Sequence, residues 1–76
     1  MDRNVVTKSF DTLHELAEKF GGTVYRDPLT DALLVQDDRH NCWHRYAWAQ
    51  GQREISYRET LRGEELPLLV QIYPTF

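Results

Sequence analysis

The sequence predicts an α+β fold: one N-terminal α-helix packed on an antiparallel β-sheet of about four to five strands, in the order β-α-β-β-β-β-β. Three observations carry that prediction. An apolar stripe at helical spacing runs from Phe10 to Phe20 and stops at Gly21-Gly22. The apolar segments after it are short, rich in β-branched and aromatic residues, and separated by turn-forming residues. The connections between them are too short for parallel crossovers, so neighbouring strands should run antiparallel.

Taken in order, residues 4–8 (NVVTK) are short and β-branched, which suits a first strand. Ser9 is placed to cap the helix, and Asp11 would favour the positive end of its dipole. Phe10, Leu13, Leu16, Ala17 and Phe20 make one face, with Glu15, Glu18 and Lys19 off it. A helix of about 11 residues is marginal alone in water, so the face must be buried against the sheet. Gly21-Gly22 supplies the left-handed conformation that ends a helix.

Residues 23–26 read as a strand, and Asp27-Pro28-Leu29-Thr30-Asp31 as a turn. Residues 32–36 (ALLVQ) are apolar on both faces, which marks a central strand. A polar connection follows at residues 37–41. Residues 42–49 and 52–59 form a hairpin around Gln50-Gly51, where glycine accepts positive φ. A two-residue loop there sets Trp48 opposite Arg53, Tyr46 opposite Ile55 and His44 opposite Tyr57. His44, Tyr46, Trp48, Ile55 and Tyr57 then share one face, and Trp43, Arg45, Ala47, Glu54, Ser56 and Arg58 the other. Residues 60–65 form a connection with a short helical turn, and residues 66–73 a last strand that Pro74 ends.

The chain has 76 residues, enough for one domain over residues 1–76. At this size about 60% of the unfolded surface is buried, so stability is thin. Four Tyr, three Phe and two Trp give the chain enough to bury to argue against disorder. Cys42 is the one cysteine, so no intrachain disulfide forms, and a reducing, cytoplasmic setting is expected. No segment reads as a signal peptide or a membrane span, and no membrane partner is expected.

Net charge is −3, unevenly spread. Residues 1–38 carry a balance of −4, whereas residues 39–62 carry five arginines against Glu54 and Glu59. Arg39, Trp43, Arg45, Tyr46, Trp48, Arg53, Tyr57, Arg58 and Arg62 fall within that basic segment. Trp, Tyr and Arg dominate binding hot spots because they join large area to directed polar groups. An amphipathic hairpin covering a helix also accounts for the aromatics of the inner face. Trp43 lies on the polar face in this register, where cation–π stacking or a partner would explain it.

His40, Cys42 and His44 alternate on a strand and so share a face. Imidazole and thiolate are zinc ligands, and Asp37 or Asp38 would be a fourth donor. The spacing matches none of the standard zinc-finger patterns, and packing is the usual explanation of isolated His and Cys residues, which favours a buried Cys beside a turn His and a strand His. Cys42 with His44 or His14 lacks the orienting group, oxyanion donors and cleft of a nucleophilic site. The four glycines form no phosphate-binding loop, and no cofactor is expected.

These features point to a small non-enzymatic module acting by protein–protein contact, as an inhibitor, adaptor or regulator, including the small inhibitors of mobile elements. Its anchors would be Trp43, Arg45, Arg53, Arg58 and Arg62, and an edge strand could add to a partner's sheet or pair two copies. One alternative is single-stranded nucleic-acid binding on the same hairpin, which the acidic total and lack of Lys in the basic segment disfavour. The other is metal binding at His40, Cys42 and His44.

Overall fold

The computed structural model describes residues 8–48, 54–63, 66 and 68–74. One helix, α1 (Leu13–Lys19), precedes five strands: β1 (Val24–Arg26), β2 (Leu33–Asp37), β3 (Cys42–Trp48), β4 (Ile55–Leu61) and β5 (Val70–Tyr73). The strands form one antiparallel sheet in the order β4-β3-β2-β1-β5. The α+β class and the single helix on an antiparallel sheet are as the sequence predicts. Of the strand expected at residues 4–8, residues 4–7 lie outside the described residues and Lys8 is not in a strand; the Gln50-Gly51 turn also lies outside them.

The helix is shorter than its apolar stripe suggests and begins at a different cap. Phe10 is extended, not helical: its backbone N–H and C=O bond Ile55 at 3.0 and 2.7 Å. That bridge holds the chain extended past Ser9, so the cap falls to Thr12. Thr12 Oγ1 accepts from Glu15 N at 3.1 Å, and Glu15 Oε1 accepts from Asp11 N at 3.2 Å. Thr12-Leu13-His14-Glu15 is a capping-box pattern whose first turn is closed from both sides. At the other end Gly22 N donates to Ala17 O at 2.7 Å, with Gly21 and Gly22 at φ 91° and 98°. This is the expected glycine stop, built as a Schellman closure.

Leu16 and Ala17 are fully buried on α1, flanked by Leu13 and Phe20. They meet the sheet face that carries Val24, Leu33, Val35, Tyr46 and Ile55. Tyr46 is the largest fully buried side chain and takes the edges of Phe10 and Tyr57 at centroid distances of 5.9 and 5.7 Å. Central β2 is buried on both faces, as its run of apolar residues implies.

The β3–β4 register differs from the expected one by two residues. Trp48 pairs with Ile55 and Tyr46 with Tyr57, and then Arg45 pairs with Glu59, His44 with Thr60 and Trp43 with Leu61. A slip of two keeps side chains on their predicted faces. The bulge at Arg58 does not: the extra residue sends Glu59 and Leu61 to the Trp43 face and Thr60 to the His44 face. Thr60 and Leu61 therefore extend β4 where a helical turn was expected.

β4 and β5, consecutive in the chain, are the opposite edges of the sheet. Gly63 and Leu66 line a recess of about 240 Å³ with Gln36, Asn41, Cys42, Trp43 and Leu61. No described helix is long and apolar enough to cross a membrane.

Candidate functional site

The β2–β3 pairing builds a polar cluster at one end of the helix-covered face. Leu33 pairs with Tyr46, Val35 with His44 and Asp37 with Cys42, so these residues share that face. The apolar pairs come first and the ionisable pair last. The turn between the strands is closed by Asp37 Oδ1, which accepts from His40 N at 3.3 Å, and by Asn41 at φ 52°. Asparagine tolerates that left-handed conformation better than most residues.

Asp37 Oδ2 lies 2.8 Å from His44 Nε2 and 2.8 Å from His40 Nδ1. On its other side, His44 Nδ1 is 2.9 Å from Thr60 Oγ1, which is 2.7 Å from the Tyr57 hydroxyl. With His44 neutral and protonated at Nε2, the imidazole donates to Asp37, Thr60 donates to Nδ1, and Tyr57 donates to Thr60. Cys42 Sγ is 3.8 Å from His44 Nε2. Phe20 packs against the His44 ring at 5.2 Å and closes the cluster toward the helix.

Asp37, Cys42 and His44 are all buried, and their donor atoms lie within 4.8 Å of one another. Burial alone would push the Asp37 carboxyl up, but hydrogen bonds from the side chains of His44 and His40 and from the His40 backbone outweigh it. The net effect holds it below the usual carboxylate range. Burial pushes the Cys42 thiol up, and nearby Arg62 only partly offsets this. A protonated buried thiol is a poor nucleophile, and His44 Nε2 is already engaged by Asp37. His14, the other candidate base, sits exposed on α1 and contacts the Tyr73 hydroxyl and Glu18.

The sequence puts His40, Cys42 and His44 on one strand face with Asp37 or Asp38 as a further donor; the structure brings Asp37 to Cys42 and His44 from the preceding strand and leaves His40 in the turn before β3. His40 joins through Asp37, with its side chain largely exposed at the rim. Asp38 is exposed and takes no part among the described contacts. Thr60 and Tyr57 are absent from the sequence-derived candidates. Tyr57 was legible as an inner-face residue, but Thr60 reaches that face only through the Arg58 bulge, which alternation does not reveal.

The predicted contact residues are spread over the β3–β4 edge. Trp43 is half-buried and meets the Tyr25 ring at 5.5 Å and 61°. Arg45 Nη1 pairs with Glu59 Oε2 at 2.7 Å. Arg58 is exposed at the bulge, and Arg62 Nη1 donates to His40 O at 3.1 Å. Arg53 lies outside the described residues. The opposite edge is different: Val70 on β5 and nearby Leu68 are 42% and 81% exposed.

No protein-family model matches the chain, and neither a curated protein nor a solved structure is similar to it.

Proposed function

We propose that this chain is a small non-enzymatic module that acts by protein–protein contact, and that its contact surface is the β5 edge. The observation that supports this reading is the chemistry of β5. Its sequence, Val70-Gln71-Ile72-Tyr73, carries no charge, and its outer side has no partner strand among the described residues. Val70 and Leu68 are exposed beside that side of the strand. An edge strand offers N–H and C=O groups in a row, which an extended peptide satisfies by adding a strand. The occupant is thus an extended segment of a partner protein, held by backbone hydrogen bonds and by apolar side chains set against Leu68 and Val70.

The arginine-rich edge supports the reading less. Arg45 is engaged by Glu59, Arg62 bonds the His40 carbonyl, and Trp43 is half-buried. Arg58 is the exposed arginine there, and it sits on a bulge that disturbs the ladder.

The test is affinity capture from the source cell with and without nuclease, beside a size measurement of the purified chain. A stoichiometric protein partner that survives nuclease is expected, with the free chain monomeric. Loss of all captured material on nuclease treatment would favour single-stranded nucleic acid instead. A dimer that Val70→Lys dissolves would assign the edge to a second copy.

A further inference from the structure

We infer that Asp37, Cys42 and His44, with His40 at the rim, form a zinc site independent of the β5 contact surface. Three observations converge on it. First, the donor set suits a borderline metal: one thiol, one imidazole and one carboxylate, all buried, with a second imidazole against the carboxylate. Second, the spacing is close to what zinc needs. Zinc–ligand bonds of about 2.0–2.3 Å at tetrahedral angles separate donor atoms by roughly 3.3–3.7 Å. Cys42 Sγ and His44 Nε2 are 3.8 Å apart, and the three donors span at most 4.8 Å. The 2.8 Å contacts of Asp37 with His44 and His40 open by only about half an ångström to admit the ion.

Third, the surroundings of His44 fit a ligand. A metal-bound imidazole usually donates its other N–H to a fixed acceptor. His44 Nδ1 faces Thr60 Oγ1, which can accept from it and pass its own proton toward the Tyr57 oxygen. The same geometry therefore serves the metal-free tautomer and the metal-bound one. His40 lies outside the converging trio but reaches Asp37 Oδ2 with Nδ1 at 2.8 Å, and its backbone is fixed by Asp37 Oδ1 and Arg62, so its ring would have to turn inward to supply the fourth ligand. Its exposed ring gives the ion a way in.

The physical reason for such a site lies in the size of the domain. A chain this short has a small core, and small domains often add a disulfide or a metal. Cys42 rules out the first. Burying an Asp–His pair gains little over an apolar core, because desolvation consumes much of the attraction. A bound cation changes that balance. On binding, Cys42 loses its thiol proton to solvent, His44 and His40 shift their protons to the nitrogens away from the metal, and Asp37 stays ionised.

Cobalt(II) chloride titrated into the purified full-length chain tests this, followed by displacement with zinc chloride. The expected result is one equivalent bound, with visible absorption of a tetrahedral site and a near-ultraviolet thiolate-to-cobalt band. Zinc should erase both and raise the melting temperature. Cys42→Ser, nearly isosteric, should keep the fold by circular dichroism and lose the thiolate band. Thr60→Val should weaken zinc binding by about 10–100-fold while leaving the band in place. A folded protein that takes up no cobalt would overturn the assignment. So would a cobalt spectrum without the sulfur band, or one unchanged by Cys42→Ser.

Discussion

At one edge of the sheet β4 runs for seven residues and is closed in three ways; at the other β5 runs for four and is closed in fewer. The β4 edge is bridged at Ile55 by the backbone of Phe10, bent by the Arg58 bulge and charged at Arg58 and Glu59. These are the devices by which sheet proteins prevent strand addition. The β5 edge is short and has its own bulge at Ile72, but it is uncharged and leaves Val70 exposed. The difference separates a strand whose outer side is closed from one whose outer side has no partner strand among the described residues, although Ile72 and Tyr73 of β5 still pack against the core. It also shows that an arginine-rich segment is not automatically a binding face, because its charges can close an edge.

The largest expected effect breaks the closed edge. Ile55 is fully buried and both its backbone groups face Phe10. Ile55→Ala should lower stability by about 2–5 kcal/mol in chemical denaturation, as a cavity in a small core does. Val70→Ala, at an exposed site, should change it by less than about 1 kcal/mol. Similar losses at both positions would mean that the Val70 side chain is packed as tightly as that of Ile55.

A second test uses the acid limb of stability. The folded Asp37 carboxyl is held below its ordinary value of 3.8 by His44 and His40. A depressed folded pKa contributes stability that is present above the unfolded value and is lost as pH falls through the folded one. With chelator present, the Asp37→Asn variant should be less stable than wild type at neutral pH, and the two should converge in strong acid. Parallel curves from neutral pH down to about pH 2 would remove the Asp37–His44 interaction from the account.

The smallest effect concerns the cap two residues after Phe10. Thr12→Ala should cost about 1 kcal/mol, and Ser9→Ala should cost nothing measurable. The reverse order would restore Ser9 as the cap and place Phe10 on the helix.

Much of the fold was legible in residue spacing. Leu13, Leu16, Ala17 and Phe20 with the glycine pair gave the helix and its end, and the apolar run at residues 32–36 gave the central strand. The alternation of Cys42, His44 and Tyr46 gave the correct inner face. What spacing could not carry was long-range backbone pairing. Phe10 fits the helical stripe, yet Ile55 holds it extended, which shortened the helix and moved the cap. The Thr12–Glu15 capping box was the local signal for that outcome. In the site, Cys42 and His44 were visible together with Asp37 or Asp38 as a further donor, and the choice of Asp37 follows from β2 running one residue past the expected 32–36 so that Asp37 pairs with Cys42. Thr60 arrived through a bulge at Arg58, where neither a glycine nor a proline marks the extra residue.

The central claim is that the open β5 edge, and not the arginine-rich one, makes the protein contact. Parallel affinity capture with wild-type, Val70→Lys and Arg58→Glu baits measures it most directly, with folding checked by circular dichroism. The account predicts that Val70→Lys loses the partner by tenfold or more, on the order of a desolvated interface anchor, while Arg58→Glu retains it. Retention by Val70→Lys with loss by Arg58→Glu would contradict it and return the contact to the hairpin of Trp43, Arg45, Arg58 and Arg62.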